Sequence, residues 1–411
     1  MSETIQSSNL AQATSPRVTK QRGASALRGP LGVLVLASLL VTAYLLHGAP
    51  GRGAAASFSL LTGAALGILF ERGRFCFFCI TRDFIEERNS GPLYAILAAL
   101  AVGGVGYAII FGAFLPNSMS GRLPPGAHIG PVSWALVAAG VAFGLGMALS
   151  GACISGHLYR LGQGYTRAPF ALVGALAGFG VGFYTWNTLY LSTIAGAPTL
   201  WLPAWLGYGG AVLVHLVAIG LLALFLLRWL PTLPARSAQE LTPSRLQDLL
   251  IAERWHPLVT GALVGLVGVF AYLRVEPLGV TAQLGSITRT ALANRGLLPA
   301  RLHGLDTLAG CATQVIQTIT DNGLLVSGLV LASFAVALLG NRFQPSTLTL
   351  RNGTTALLGG VLMGWGAMTA LGCTVGVLLS GISAFALSGW VFAAACFAGV
   401  WLGIKLRLHQ D

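Results

Sequence analysis

Apolar residues in this chain run in long blocks, unlike the alternation of a strand or the narrow stripe of a surface helix. The blocks fall at about 31–47, 54–70, 92–114, 132–149, 168–186, 206–229, 257–273, 323–340, 355–371 and 387–404. Each is near or above the ~17 residues that cross ~30 Å of hydrocarbon as a helix. The pattern predicts an all-α polytopic membrane protein of about ten spans. Residues 1–30 are polar and basic, with Arg17, Lys20, Arg22 and Arg28, and read as a cytoplasmic tail. The stretch GAPGRGAAAS after the first block has the small residues of a signal-peptidase site, but the long polar segment ahead of it favours an uncleaved helix. Segment 228–256 reads as a cytoplasmic linker. It divides a first membrane half, 31–227 (repeat 54–186 plus spans 31–47 and 206–229), from a second, 257–405. Within the linker, Thr242-Pro243 opens a short helix with Leu246, Leu249 and Leu250 on one side.

Composition excludes a soluble protein: of 411 residues, 55% are hydrophobic and 9% charged, and the mean hydropathy is +0.76. The net charge of +12 is spread between spans, so it reports topology and not a nucleic-acid footprint. The basic tail and linker put both termini on the cytoplasmic side of an inner membrane; of the six exceptions among 24 Lys and Arg residues, Arg274, Arg289, Arg295 and Arg301 cluster in one external connection. Six cysteines (Cys76, Cys79, Cys153, Cys311, Cys373, Cys396) lie in or beside apolar segments, where no secreted disulfide framework belongs.

The chain repeats itself. GVAFGLGMALSGAC (140–153) aligns without a gap to GVLMGWGAMTALGC (360–373), so SGACISG (150–156) has a later copy in LGCTVG (371–376). LLTGAALGILF (60–70) likewise resembles LVTGALVGLVGVF (258–270), and Ile80-Thr81-Arg82 resembles Ile287-Thr288-Arg289. One extra span between the copies makes the two repeats pseudo-symmetric and inverted, a recurring transporter design. Glycine-rich loops at bilayer depth survive only when buried in protein or lining a polar path. Gly151, Gly156, Gly372 and Gly376, with Cys153 and Cys373, are therefore candidates for a transport site. The plainer reading is that these glycines allow close packing and the thiols fill gaps. Segments 71–84 (ERGRFCFFCITRDF) and 276–289 (EPLGVTAQLGSITR) read as re-entrant loops. In the first, Arg74 is a candidate for drawing in an anion. Cys76 and Cys79 form a CxxC that suits a redox dithiol as well as a binding site. Cys311 is a candidate station near the outer mouth. Cys396 reads as packing, His215 as a lone intramembrane histidine and His157 as interfacial. The sequence encodes no nucleotide-binding loop, metal-ligand cluster or paired intramembrane carboxylates, so neither an ATP-driven pump nor a cofactor is implied.

At GRFCF (73–77), GACISG (151–156) and GCTVG (372–376) the chain resembles the YeeE/YedE family of sulfur-compound transporters. The resemblance implies an hourglass-shaped, pseudo-symmetric protein whose loops bring Cys76, Cys153 and Cys373 to a central constriction as substrate-handling thiols. It implies thiosulfate or a related sulfur or selenium compound as substrate, and a small cytosolic sulfur-carrier protein as partner. The extra first span, the long 228–256 linker and the added Cys79 and Cys311 depart from a compact member.

The expected function is therefore a non-enzymatic inner-membrane importer of a sulfur anion, held among lipids. The alternative is a membrane thiol–disulfide electron carrier using Cys76 and Cys79. Ser286, at the place of Cys79 in the second copy, weighs against it.

Overall fold

A computed structural model describes residues 22–231, 253–308 and 313–409; the short helix expected at Thr242-Pro243 and Cys311 lie outside them. The helices are α1 (Arg22–His47), α2 (Gly53–Gly73), α3 (Phe77–Glu87), α4 (Leu93–Phe114), α5 (Trp134–Ser150), α6 (Ile154–Gly162) and α7 (Ala168–Leu189). They continue with α8 (Pro203–Leu226), α9 (Pro257–Arg274), α10 (Ala282–Ala293), α11 (Asp321–Leu339) and α12 (Leu350–Thr369). Last come α13 (Thr374–Ser383), which opens with a π turn, and α14 (Leu387–Lys405). No strand occurs among the described residues; one isolated bridge joins Trp201 to Ala386. Nine helical stretches are long and apolar enough to cross a bilayer, ten if α12 and α13, bent by 45°, count as one span.

Two expectations change. Residues 22–30 of the tail are already helical, because the apolar run reaches back to Leu27, the start of the membrane-length stretch Leu27–His47. Segment 71–84 is the end of α2, a short break and most of α3, and the two helices run as one 35-residue stretch, Gly53–Glu87. The break arises at Arg74, whose left-handed backbone (φ 50°) turns its N–H onto the Phe70 carbonyl and ends α2. Segment 276–289 is irregular up to Thr281 and then helical as α10.

Polar pairs at the helix ends define two faces. Arg52, before α2, meets Asp321 at the start of α11 (2.8 Å), and Glu71 near the end of α2 meets Arg342 beyond α11 (2.8 Å). Helices α2 and α11 therefore run parallel, from a face A with Arg52 to a face B with Glu71. Both ends of the described chain lie at face B, where Arg28 bonds Asn341 and His409 bonds Glu86.

The close crossings join the two halves of the chain. A Cβ at Gly63 would overlap the Leu325 carbonyl of α11, and one at Gly261 of α9 would overlap the Ala95 carbonyl of α4. Gly174 of α7 stands likewise against Leu357 of α12, and Gly144 of α5 against Cys396 of α14. Without a hydrophobic drive between helices in lipid, such backbone approach supplies the dispersion contacts that hold them together. The packing keeps its form when each of α2–α7 is exchanged for the helix seven places later. Thus α2 on α11 becomes α9 on α4, α7 on α12 becomes α14 on α5, and α6 on α11 becomes α13 on α4. Helices α5 and α12 cross each other, with Gly146 against Gly359 and Gly366 against Ala139.

These crossings are testable. Overfilling a tight interface costs roughly 1–3 kcal/mol, so Gly174→Leu lowers the unfolding temperature of detergent-purified protein by several degrees. Gly220→Ala on α8, which faces open space, leaves it within about a degree.

Candidate functional site

Three breaks in the helices carry the cysteines, and each is built from residues that end one helix and begin the next. Helix α5 stops at Gly151, whose left-handed backbone (φ 84°) closes its N–H on the Met147 carbonyl. Ser150 Oγ donates to the Ala152 carbonyl at 3.1 Å. Cys153 then caps α6: its Sγ accepts from the Gly156 N–H at 3.3 Å and lies 3.2 Å from Ser155 Oγ. A Cβ at Gly156 would crowd the sulfurs of both Cys76 and Cys153, so glycine here keeps the thiols uncovered. Cys76 holds the same N-cap place on α3, and its Sγ is 3.7 Å from that of Cys153. Two helix N-termini thus converge on one thiol pair, bringing first-turn N–H groups and a partial positive charge. Cys373 is the N-cap of the third short helix, α13, and follows Leu371 in the left-handed conformation (φ 57°). Gly372 and Gly376 are buried beside it.

Cavities adjoin these breaks. At face A, Arg52, His128, Glu276, Ser286 and Asn322 line a cavity of about 320 Å³. His128 also borders a narrow one of about 20 Å³ whose lining includes Leu371 and Val377, on either side of Cys373 in the chain. Burial pushes the His128 imidazole down to about 4, so it is neutral at physiological pH and adds no fixed charge to the passage. A third, apolar cavity of about 300 Å³ is lined by Thr374 (next to Cys373), Phe77 (next to Cys76), Met147 and Cys396.

The other candidates fall outside this group or join it in new ways. Cys79 lies one turn beyond Cys76, and its Sγ receives the Arg160 Nη2–H at 2.9 Å. Arg74 is exposed at face B and is not brought to the thiols. Cys396 is buried on α14 against α5. His215 is buried at the α8–α4 contact with Nε2 2.9 Å from the Leu100 carbonyl. All five cysteines among the described residues are free thiols, and no three His, Cys, Asp or Glu there are grouped to hold a metal.

Two residues of α6 were not assigned to the site from the sequence. Arg160 bonds Cys79 and, through Nη1, the Gly151 carbonyl (3.2 Å), and its guanidinium lies over the Tyr165 ring at 5.4 Å. His157, expected at an interface, is fully buried, because α6 is enclosed by α2, α7 and α11. Neither of its ring nitrogens has a hydrogen-bond partner among the described residues. The available signal was their i, i+3 spacing in HLYRLG, directly behind the glycine-cysteine loop.

The 3.7 Å contact makes a direct prediction. In Cys79→Ser protein, mild copper-phenanthroline oxidation joins Cys76 to Cys153, and peptide mass spectrometry detects the linked pair while Cys396 stays free. Failure to form that link without denaturation contradicts the arrangement.

Comparison with known proteins comes to the same segments. A family model described as sulphur transport matches residues 72–402. The chain is similar to the thiosulfate transporter TsuA of Escherichia coli, at 29% identity over 361 residues, covering 83% of this chain and 92% of the relative. It is also 29% identical over 365 residues to the thiosulfate transporter TsuA of Spirochaeta thermophila, covering 83% and 96%. A shorter likeness, 33% over 91 residues, links it to the probable transporter YedE of Escherichia coli.

Proposed function

The chain belongs to the sulphur transport family, and from that premise we propose that it imports thiosulfate or a related sulfur anion across the inner membrane, from face A to face B. The relatives named as thiosulfate transporters, matched over most of both chains, support a sulfur anion as the cargo. The observation that carries the mechanism is that Cys76, Cys153 and Cys373 each begin a short helix beside a cavity or another thiol. Moving a bare ion into a low-dielectric medium costs on the order of 20 kcal/mol by the idealised Born estimate, so a pathway must replace its water. Helix N-termini supply N–H groups and about half a positive charge each. Neutral thiols are weak donors that suit a soft sulfur and release it as readily as they receive it.

In this reading the anion enters the face A cavity, passes neutral His128, meets Cys373, and reaches the Cys153–Cys76 pair before leaving at face B. Residues 54–186 and 257–405 are inverted repeats, consistent with the exchange symmetry of the packing. Face B is then cytoplasmic and holds both ends of the described chain, and there a small sulfur-carrier protein collects the product. The dithiol-carrier reading is disfavoured because Ser286, at the place of Cys79 in the second copy, supplies no second thiol, and Cys76 also meets Cys153 across the site.

Uptake of radiolabelled thiosulfate into proteoliposomes tests this. Single replacement of Cys76, Cys153 or Cys373 by alanine lowers initial uptake about tenfold or more, and the triple variant reaches the protein-free background. Uptake that survives the triple replacement removes the thiols from the pathway.

A further inference from the structure

A guanidinium held at membrane depth is costly unless an opposite charge faces it. Arg160 faces no carboxylate among the described residues: its hydrogen bonds go to the neutral Gly151 carbonyl and to the Cys79 thiol, with the Tyr159 hydroxyl and the Cys76 thiol in electrostatic range. The Gly151 bond caps the C-terminal end of α5, whose carbonyl dipoles amount to about half a unit charge, which leaves part of the cation uncompensated. One turn earlier on the same face of α6, His157 is fully buried with both ring nitrogens unmet, within electrostatic range of Cys76 and Arg160. Buried imidazoles are ordinarily hydrogen-bonded. A cation without a carboxylate and a donor without an acceptor, side by side at a thiol pair, describe a place for an oxyanion.

Thiosulfate has two chemically different ends, a hard SO₃ group and a soft terminal sulfur. The geometry points to a divided subsite in which Arg160 and His157 hold the oxygen end while the terminal sulfur rests against Cys76 and Cys153. The inference rests on the sulfur-anion reading and assigns each end of the ion its own donors. Guanidinium suits the oxygens, since its planar fork makes charge-assisted N–H···O bonds. The thiols suit the sulfur. Sulfate offers two hard ends and thiocyanate a soft end without SO₃, so only an ion with both fills the subsite.

The test compares wild type, Arg160→Gln, Arg160→Lys, His157→Leu and Cys153→Ser in proteoliposomes, with equilibrium thiosulfate binding measured in detergent. Loss of one charge-assisted contact weakens binding roughly tenfold or more. Arg160→Gln therefore raises KM and Kd for thiosulfate about tenfold while the maximal rate stays within about twofold. Arg160→Lys recovers part of the loss, and His157→Leu gives a smaller rise. Competition by sulfite weakens in Arg160→Gln while competition by thiocyanate is unchanged; Cys153→Ser shows the opposite pattern. A role confined to capping α5 lowers the yield of folded protein and the maximal rate but leaves KM and sulfite competition alone, and that result overturns the inference. Should Arg160→Gln not fold, the same parameters in Arg160→Lys decide: a wild-type KM with intact sulfite competition overturns the inference. If wild-type protein neither binds nor moves thiosulfate, the sulfur-anion reading falls and this inference with it. Uptake by wild type with an unaltered KM in both arginine variants defeats the inference alone.

Discussion

Backbone that leaves the helical pattern inside a membrane protein must find its hydrogen bonds within the protein, because lipid offers none. The three breaks here meet that requirement locally. The Arg74 N–H closes on Phe70, the Gly151 N–H on Met147 and the Gly372 N–H on Ala367. What each break then adds is a fresh helix start, and in all three cases the residue at that start is a cysteine. The same geometry that makes an interruption tolerable also aims N–H groups at a thiol. On the proposed reading, stability and transport draw on one local device.

Cysteine chemistry alone does not make a station. Cys396 is as buried as Cys76 and Cys373, yet it sits within a continuous helix whose backbone is already satisfied. It offers a sulfur without the converging amides. Cys76 and Cys153 differ because two chain segments 77 residues apart deliver helix starts to one point, and Gly156 leaves their sulfurs uncovered.

Much of this was legible in the sequence, for identifiable reasons. Apolar blocks of membrane length announce themselves one by one, so the spans and the all-helical class could be read directly. The thiols of the two glycine-cysteine loops were found because the loops repeat, and Cys76 by its likeness to a known family. The contact between Cys76 and Cys153 was not legible, since nothing local reports which segments meet. Segment 71–84, read from the sequence as a re-entrant loop, is the end of α2, a break at Arg74 and most of α3. Arg160 escaped notice and His157 was read as interfacial, because a basic residue near a span end reads as an anchor until its surroundings show that it lacks a carboxylate.

The crossing helices also limit how the molecule can move. In a protein of two separate bundles, one lobe can tilt against the other along a smooth seam. Here the seam does not exist: α2 lies on α11, α4 on α9, α5 on α14 and α7 on α12, so the long helices of the two repeats clasp one another at carbonyl distance. Tilting would pry apart all those clasps together. A frame braced in this way moves as one body, and the two repeats have no freedom to rock against each other.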